Sequence, residues 1–161
     1  MTGKSSRLPP TGEWRPARLW TVAEAEAELP RLRQSLRGIQ QRLKELGEIQ
    51  EELARLARFW GAEFESEDHP DAASRDRLRE RVRRLTLDLQ HEVEALHREG
   101  IELKDPEVGL VDFYAMRHGE LVYLCWKMEE EGILAWHTLD GGFRGRKALT
   151  WEERQLGLER S

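Results

Sequence analysis

A chain of 161 residues, 35% charged and 39% hydrophobic, is the size of one domain or of a compact unit with an extension. It carries too much charge for a thick globular core and too much apolar content for a disordered chain. A net charge of -5 and a pI near 5.6 argue against a dedicated nucleic-acid binder. No apolar run approaches the ~20 residues of a membrane span, and the single cysteine, Cys125, excludes an intramolecular disulfide and fits a reducing, cytoplasmic setting.

Residues 1–18 hold Lys4, Arg7, Arg15 and Arg18 among Pro9, Pro10, Gly12 and Pro16. Without the apolar centre of a signal peptide, they read as a flexible tail. Residues 19–103 read as a helical hairpin. Thr21 and Glu24 are spaced as a capping box, each side chain serving the other's backbone N–H. Leu29, Leu32, Leu36, Ile39, Leu43, Leu46, Leu53 and Trp60 then recur at alternating threes and fours, a heptad seam set among Arg, Lys, Glu and Gln. Pro30 interrupts this pattern and predicts a kink or a helix restart near residue 29, because it lacks an N–H and crowds the carbonyl four residues back. Gly61 to Asp71 breaks the period as the connecting loop. A second helix, capped by Asp71 or Ser74, carries Leu78, Val82, Leu85, Leu89, Val93 and Leu96 and ends at Gly100, with Ile101 folding back on the cap. Six arginines between Arg75 and Arg84 interleave with Asp76 and Glu80, the pattern of a solvated polar face. At ~1.5 Å per residue the helices span roughly 60 and 42 Å. Seams this narrow predict a four-helix homodimer, in which Gln50 either sets register or is a tolerated surface residue.

From Val108 the period becomes two, and residues 104–149 read as an antiparallel sheet. Leu110 to Met116, Leu121 to Met128 and Ile133 to Leu139 are the strands, with His118-Gly119 as a two-residue turn. Pairing around that turn sets Asp112 opposite Cys125 and Tyr114 opposite Tyr123 on one face. Phe113, Leu124 and Trp126 share the other, which is expected to pack on the helices. His137 joins Asp112 and Cys125 only if the connection through Glu129 to Gly132 has odd length. Gly141 to Lys147 forms a glycine-rich basic loop, and 150–161 is a short charged tail. The fold class expected is α+β: a long antiparallel helical hairpin of coiled-coil type with a small three-stranded antiparallel sheet.

Three readings fit the polar residues of this sheet. Asp112, Cys125, Glu130 and His137 are acceptable ligands for zinc or another divalent metal, although their spacing matches no established zinc pattern. Arg144 and Arg146, next to Gly142 and Gly145, could hold a phosphate or carboxylate, without the strand-loop-helix setting of a P-loop; the plainer alternative pairs Arg146 with Glu130 or Asp112. The third reading is structural, a charge-balanced lattice of Asp112, Lys127, Glu130, His137 and Arg146. No Ser-His-Asp or Cys-His arrangement stands out, so no catalytic residue is assigned.

Leu29-Pro30, Gly109-Leu-Val-Asp-Phe113, Leu124-Cys-Trp-Lys127, Glu130, Trp136-His137 and Gly145-Arg146 together resemble the bacterial and archaeal family called domain of unknown function 2203, over roughly residues 19–149. This chain departs from the family pattern at Met128-Glu129-Glu130, where Leu-Gly-Glu is usual, and at Tyr114, where proline is frequent. The resemblance implies a shared fold and the same C-terminal cluster, and no established activity. The expectation is a cytoplasmic homodimeric scaffold or interaction module. The rival is a small metal- or anion-binding protein, or an enzyme built on such a site, using Asp112, Glu130, His137 and Arg146.

Overall fold

The computed structural model describes residues 15–158. Most of the tail expected over residues 1–18, and the last three residues of the C-terminal tail, lie outside the described residues. The elements are α1 (Val22–Trp60), a 3-10 turn (Gly61–Glu63), α2 (Ala72–Arg98), β1 (Ile101–Asp105), β2 (Leu110–Arg117), β3 (Glu120–Lys127), β4 (Ala135–Thr138), a second 3-10 turn (Phe143–Gly145), β5 (Lys147–Ala148) and α3 (Trp151–Leu156). They form two compact units. One is Arg37–Glu92; the other takes the described residues up to Leu36 and from Val93 onward.

The sheet unit begins with the expected capping box: Glu24 N donates to Thr21 Oγ1 at 3.1 Å and Thr21 N to Glu24 Oε2 at 3.5 Å. Helix α1 does not restart at Pro30; it runs unbroken from Val22 to Trp60. A proline inside a helix costs about 3 kcal/mol. Here Ala25, Leu29, Leu32 and Leu36 are all buried on both sides of it, and keeping that stripe continuous offsets the missing hydrogen bond.

The sheet has five strands rather than three, all antiparallel, in the order β1-β2-β3-β4-β5. Strand β1 arises where Ile101 was expected to fold back on the helix cap. Gly100, at φ +76°, does end α2, but its carbonyl accepts from Tyr114 N at 3.0 Å and so starts the ladder. A Cβ at Gly100 would lie 2.5 Å from the Arg18 carbonyl oxygen, so the close approach of that backbone requires glycine. Strand β5 is only Lys147–Ala148, both exposed. These edges are short or charged, as edges that resist pairing with other chains are, and they carry little period-two signal.

The central hairpin matches its expectation. Arg117 pairs with Glu120 across His118 (φ 50°) and Gly119 (φ 77°), the positive-φ pair of a type I′ turn. Val111, Phe113, Leu124 and Trp126 form a fully buried face. The Trp20 ring meets Phe113 edge-on at 5.3 Å, and the Arg33 guanidinium lies 5.1 Å from the Trp126 ring centre, so this face packs on the start of α1.

In the Arg37–Glu92 unit the two helices run antiparallel. Arg81 grips Glu45 through two bonds of 2.7 and 3.0 Å, and Arg42 reaches Glu92 at 2.5 Å. The connecting loop is organised by buried Arg75, which donates to the carbonyls of Phe64 and Ser66, and by Trp60, which stacks on His69 and donates to Asp71. Ile39, Ala72 and Leu85 are the buried apolar residues of this unit, while Leu43, Leu46, Leu53, Leu78, Val82 and Leu89 remain half-buried.

Candidate functional site

Strand register brings three chemically distinct side chains together. Asp112 on β2 is paired with Cys125 on β3, and Tyr123, two residues before Cys125, is paired with His137 on β4. All therefore project from the face opposite Phe113 and Leu124. The parity of the β3–β4 connection, open from sequence, is set by its anchors. Trp126 Nε1 and Arg33 both donate to the Glu130 carbonyl, at 2.9 and 2.7 Å, and Glu26 accepts from Ile133 N at 3.1 Å.

One ligand-type atom from each of Asp112, Cys125 and His137 falls within 4.8 Å of the other two, and among the described residues no other such trio of His, Cys, Asp or Glu converges. Their exposures are 2%, 1% and 2%. Burying charge this deeply is costly unless it is paired. His137 Nε2 is 3.0 Å from Asp112 Oδ1, and His137 Nδ1 donates to the Thr138 carbonyl at 2.6 Å. Burial alone would disfavour the imidazolium, but hydrogen bonds to Asp112, Cys125 and Thr138 outweigh it and raise the His137 pKa to about 10. Beside it lies the Tyr123 ring, 5.3 Å away, whose hydroxyl donates to Tyr114 Oη at 3.0 Å; Tyr114 in turn donates to Glu102 at 3.2 Å. Burial pushes the Tyr114 hydroxyl far above its ordinary pKa, so it remains a donor.

Glu130 is not brought into this trio. Its carboxylate takes a two-pronged grip from Arg146, 3.0 Å on each oxygen, and accepts from Lys127 N at 2.9 Å. Burial would raise the Glu130 pKa, but these donors, Arg146 foremost, hold it below the usual carboxylate range. The Arg146 guanidinium is held charged first by Glu130, with a smaller contribution from neighbouring Cys125. The polar residues thus fall into two groups, the Asp112–Cys125–His137 trio and the Arg146–Glu130 pair. Arg144 lies apart, on the exposed turn Phe143–Gly145.

The family model described as "Uncharacterized conserved protein (DUF2203)" matches residues 18–149. The chain belongs to the DUF2203 family. No curated protein and no solved structure matches it. In this DUF2203 chain Asp112, Cys125 and His137 of the sequence motifs meet in the trio, and Glu130 and Arg146 meet in the pair. Sequence reasoning missed the Thr138 carbonyl, a backbone group with no side-chain signature, and the hydroxyl chain from Tyr123 through Tyr114 to Glu102. The opposition of Tyr114 and Tyr123 was the available signal for the second.

The trio can be compared with the spacing of a small ligand set. Around a tetrahedral metal with bonds of about 2.0–2.3 Å, donor atoms lie roughly 3.3–3.8 Å apart. Here His137 Nε2 and Asp112 Oδ1 are 3.0 Å apart and all three donor atoms lie within 4.8 Å of one another. With Nδ1–H tied to a backbone carbonyl, His137 presents Nε2 to the cluster, as second-shell bonds do for metal-ligating imidazoles.

Proposed function

We propose that this DUF2203 protein binds a divalent transition metal, zinc foremost, through Asp112 Oδ1, Cys125 Sγ and His137 Nε2. The carrying observation is the convergence of one carboxylate, one thiol and one oriented imidazole from three adjacent strands. An aspartate, a thiolate and a neutral imidazole balance a divalent charge, which favours a borderline-soft ion over calcium or magnesium. Binding would displace the thiol proton and the Nε2 proton shared with Asp112. A reducing cytoplasm would keep Cys125 available. The anion reading is weaker, because Glu130 already occupies the Arg146 fork.

Protein purified without affinity metal or chelator should carry close to one zinc per chain by elemental analysis and native mass spectrometry. Asp112→Ala and His137→Ala should each lose it while far-UV circular dichroism is retained. Wild-type protein that takes up no zinc at micromolar free metal would overturn the reading.

A second reading rests on a separate observation: the seam residues Leu43, Leu46, Leu53, Leu78, Val82 and Leu89 stay half-buried in the Arg37–Glu92 unit. A second copy laid on that seam would complete its burial, making the hairpin a homodimerising, coiled-coil scaffold element. Sedimentation equilibrium checks it; a monomer at all working concentrations sinks it. Among the described residues no helix is long and apolar enough to cross a membrane.

A further inference from the structure

We infer that the Arg146–Glu130 pair is a latch that holds residues 140–146 closed beside the Asp112–Cys125–His137 cluster and so governs access to Cys125. This inference rests on the metal reading only for what enters; it concerns the route in.

The cluster is at most 2% exposed, so any metal or reagent needs a segment to move. Most of its surroundings are fixed. Three ladder-bonded strands form its floor, and the Tyr114, Leu121 and Tyr123 side chains, with Leu139 against them, pack one flank. Residues 140–146 differ. Gly141, Gly142 and Gly145 interrupt them, Gly142 at φ +62°, and Phe143 is 39% exposed, so little apolar burial holds the segment down. Its first end is tied to the cluster, since the Thr138 carbonyl accepts both His137 Nδ1 and Gly141 N. Its other end carries Arg146, which precedes Lys147, the β5 partner of Trp136 beside His137, and grips Glu130. The grip is reinforced by the Arg146 guanidinium over Phe143 at 4.6 Å. Glu130 is a rigid keeper: Trp126 and Arg33 hold its carbonyl and Lys127 N its carboxylate. Breaking one charge-assisted fork therefore removes the polar tie that holds the Arg146 end of this segment.

The test is the rate at which Ellman's reagent modifies Cys125 in metal-free protein. Glu130→Gln, which keeps shape and removes the charge, should speed labelling at least about tenfold, with Arg146→Lys intermediate. Glu153→Gln breaks an ion pair to Arg117 elsewhere in the unit and controls for general loosening. A Glu130→Gln protein that labels at the wild-type rate, or a Glu153→Gln protein that accelerates equally, overturns the latch. Zinc extraction by a chelator should accelerate in the same order. If wild-type protein takes no zinc, the metal reading fails, while the thiol rates still decide the latch.

Discussion

Val111, Phe113, Leu124 and Trp126 are fully buried in the sheet unit, whereas the seam leucines Leu43, Leu46 and Leu53 of the Arg37–Glu92 unit stay half in solvent. The first region draws its stability from close packing of large side chains between a sheet and a helix. The second is held by ion pairs such as Arg81–Glu45 and by the hydrogen-bonded loop around Arg75. Exposed ion pairs contribute about 0–1 kcal/mol each, so the hairpin is the weaker unit when alone. The same difference separates the two proposed functions: a rigid, dry setting suits a ligand cluster, and an unfinished seam suits a partner.

The largest test of this contrast is Trp126→Ala, expected to cost about 3–5 kcal/mol in denaturant unfolding. Leu53→Ala in the hairpin should cost about 1 kcal/mol or less in a monomer, since its burial is partial. Equal costs would erase the distinction, and a large Leu53 effect that grows with protein concentration would locate a dimer contact there. Next comes Asp112→Ala in metal-free protein, expected to cost about 3 kcal/mol because His137 loses its buried counter-charge. Saturating zinc would not restore it.

Smaller still is Glu153. Burial would raise its carboxyl, but Arg117 and the Thr150 cap outweigh that and hold its folded pKa below the ordinary value. Its contribution is therefore present above the unfolded pKa of about 4.3 and lost as pH falls through the depressed folded value. Glu153→Gln should cost about 1 kcal/mol at pH 7 and converge with wild type in acid. A gap that persists at pH 2 would show that packing, not charge, was lost. Gly119→Ala, forced to φ 77°, should cost about 1 kcal/mol.

How much of this was legible from sequence follows the strength of each local signal. The β2–β3 register, with Asp112 against Cys125 and Tyr114 against Tyr123, was readable because a two-residue turn at His118-Gly119 leaves a single pairing that keeps the apolar residues on one face. Strands β1 and β5 were not, since Glu102, Lys104 and Lys147 mask any alternation and tertiary pairing decides them. Of the two outcomes Pro30 allowed, a kink or a restart, the restart is absent, because the buried stripe around it keeps the helix continuous. At the site, the residue types were visible. The grouping was not, because the parity of the Met128–Leu134 connection depends on Arg33 and Glu26, about a hundred positions away in sequence.

The stack of Trp60 on His69, ring centres 4.4 Å apart, has an optical consequence. Among the described tryptophans, Trp20, Trp126, Trp136 and Trp151 lie in the sheet unit and Trp60 alone lies in the hairpin. An imidazole against an indole quenches its emission, most strongly when protonated. Trp60 is therefore a built-in dye whose brightening marks the hairpin loop coming apart, and a Trp60→Phe protein leaves the other unit to report by itself.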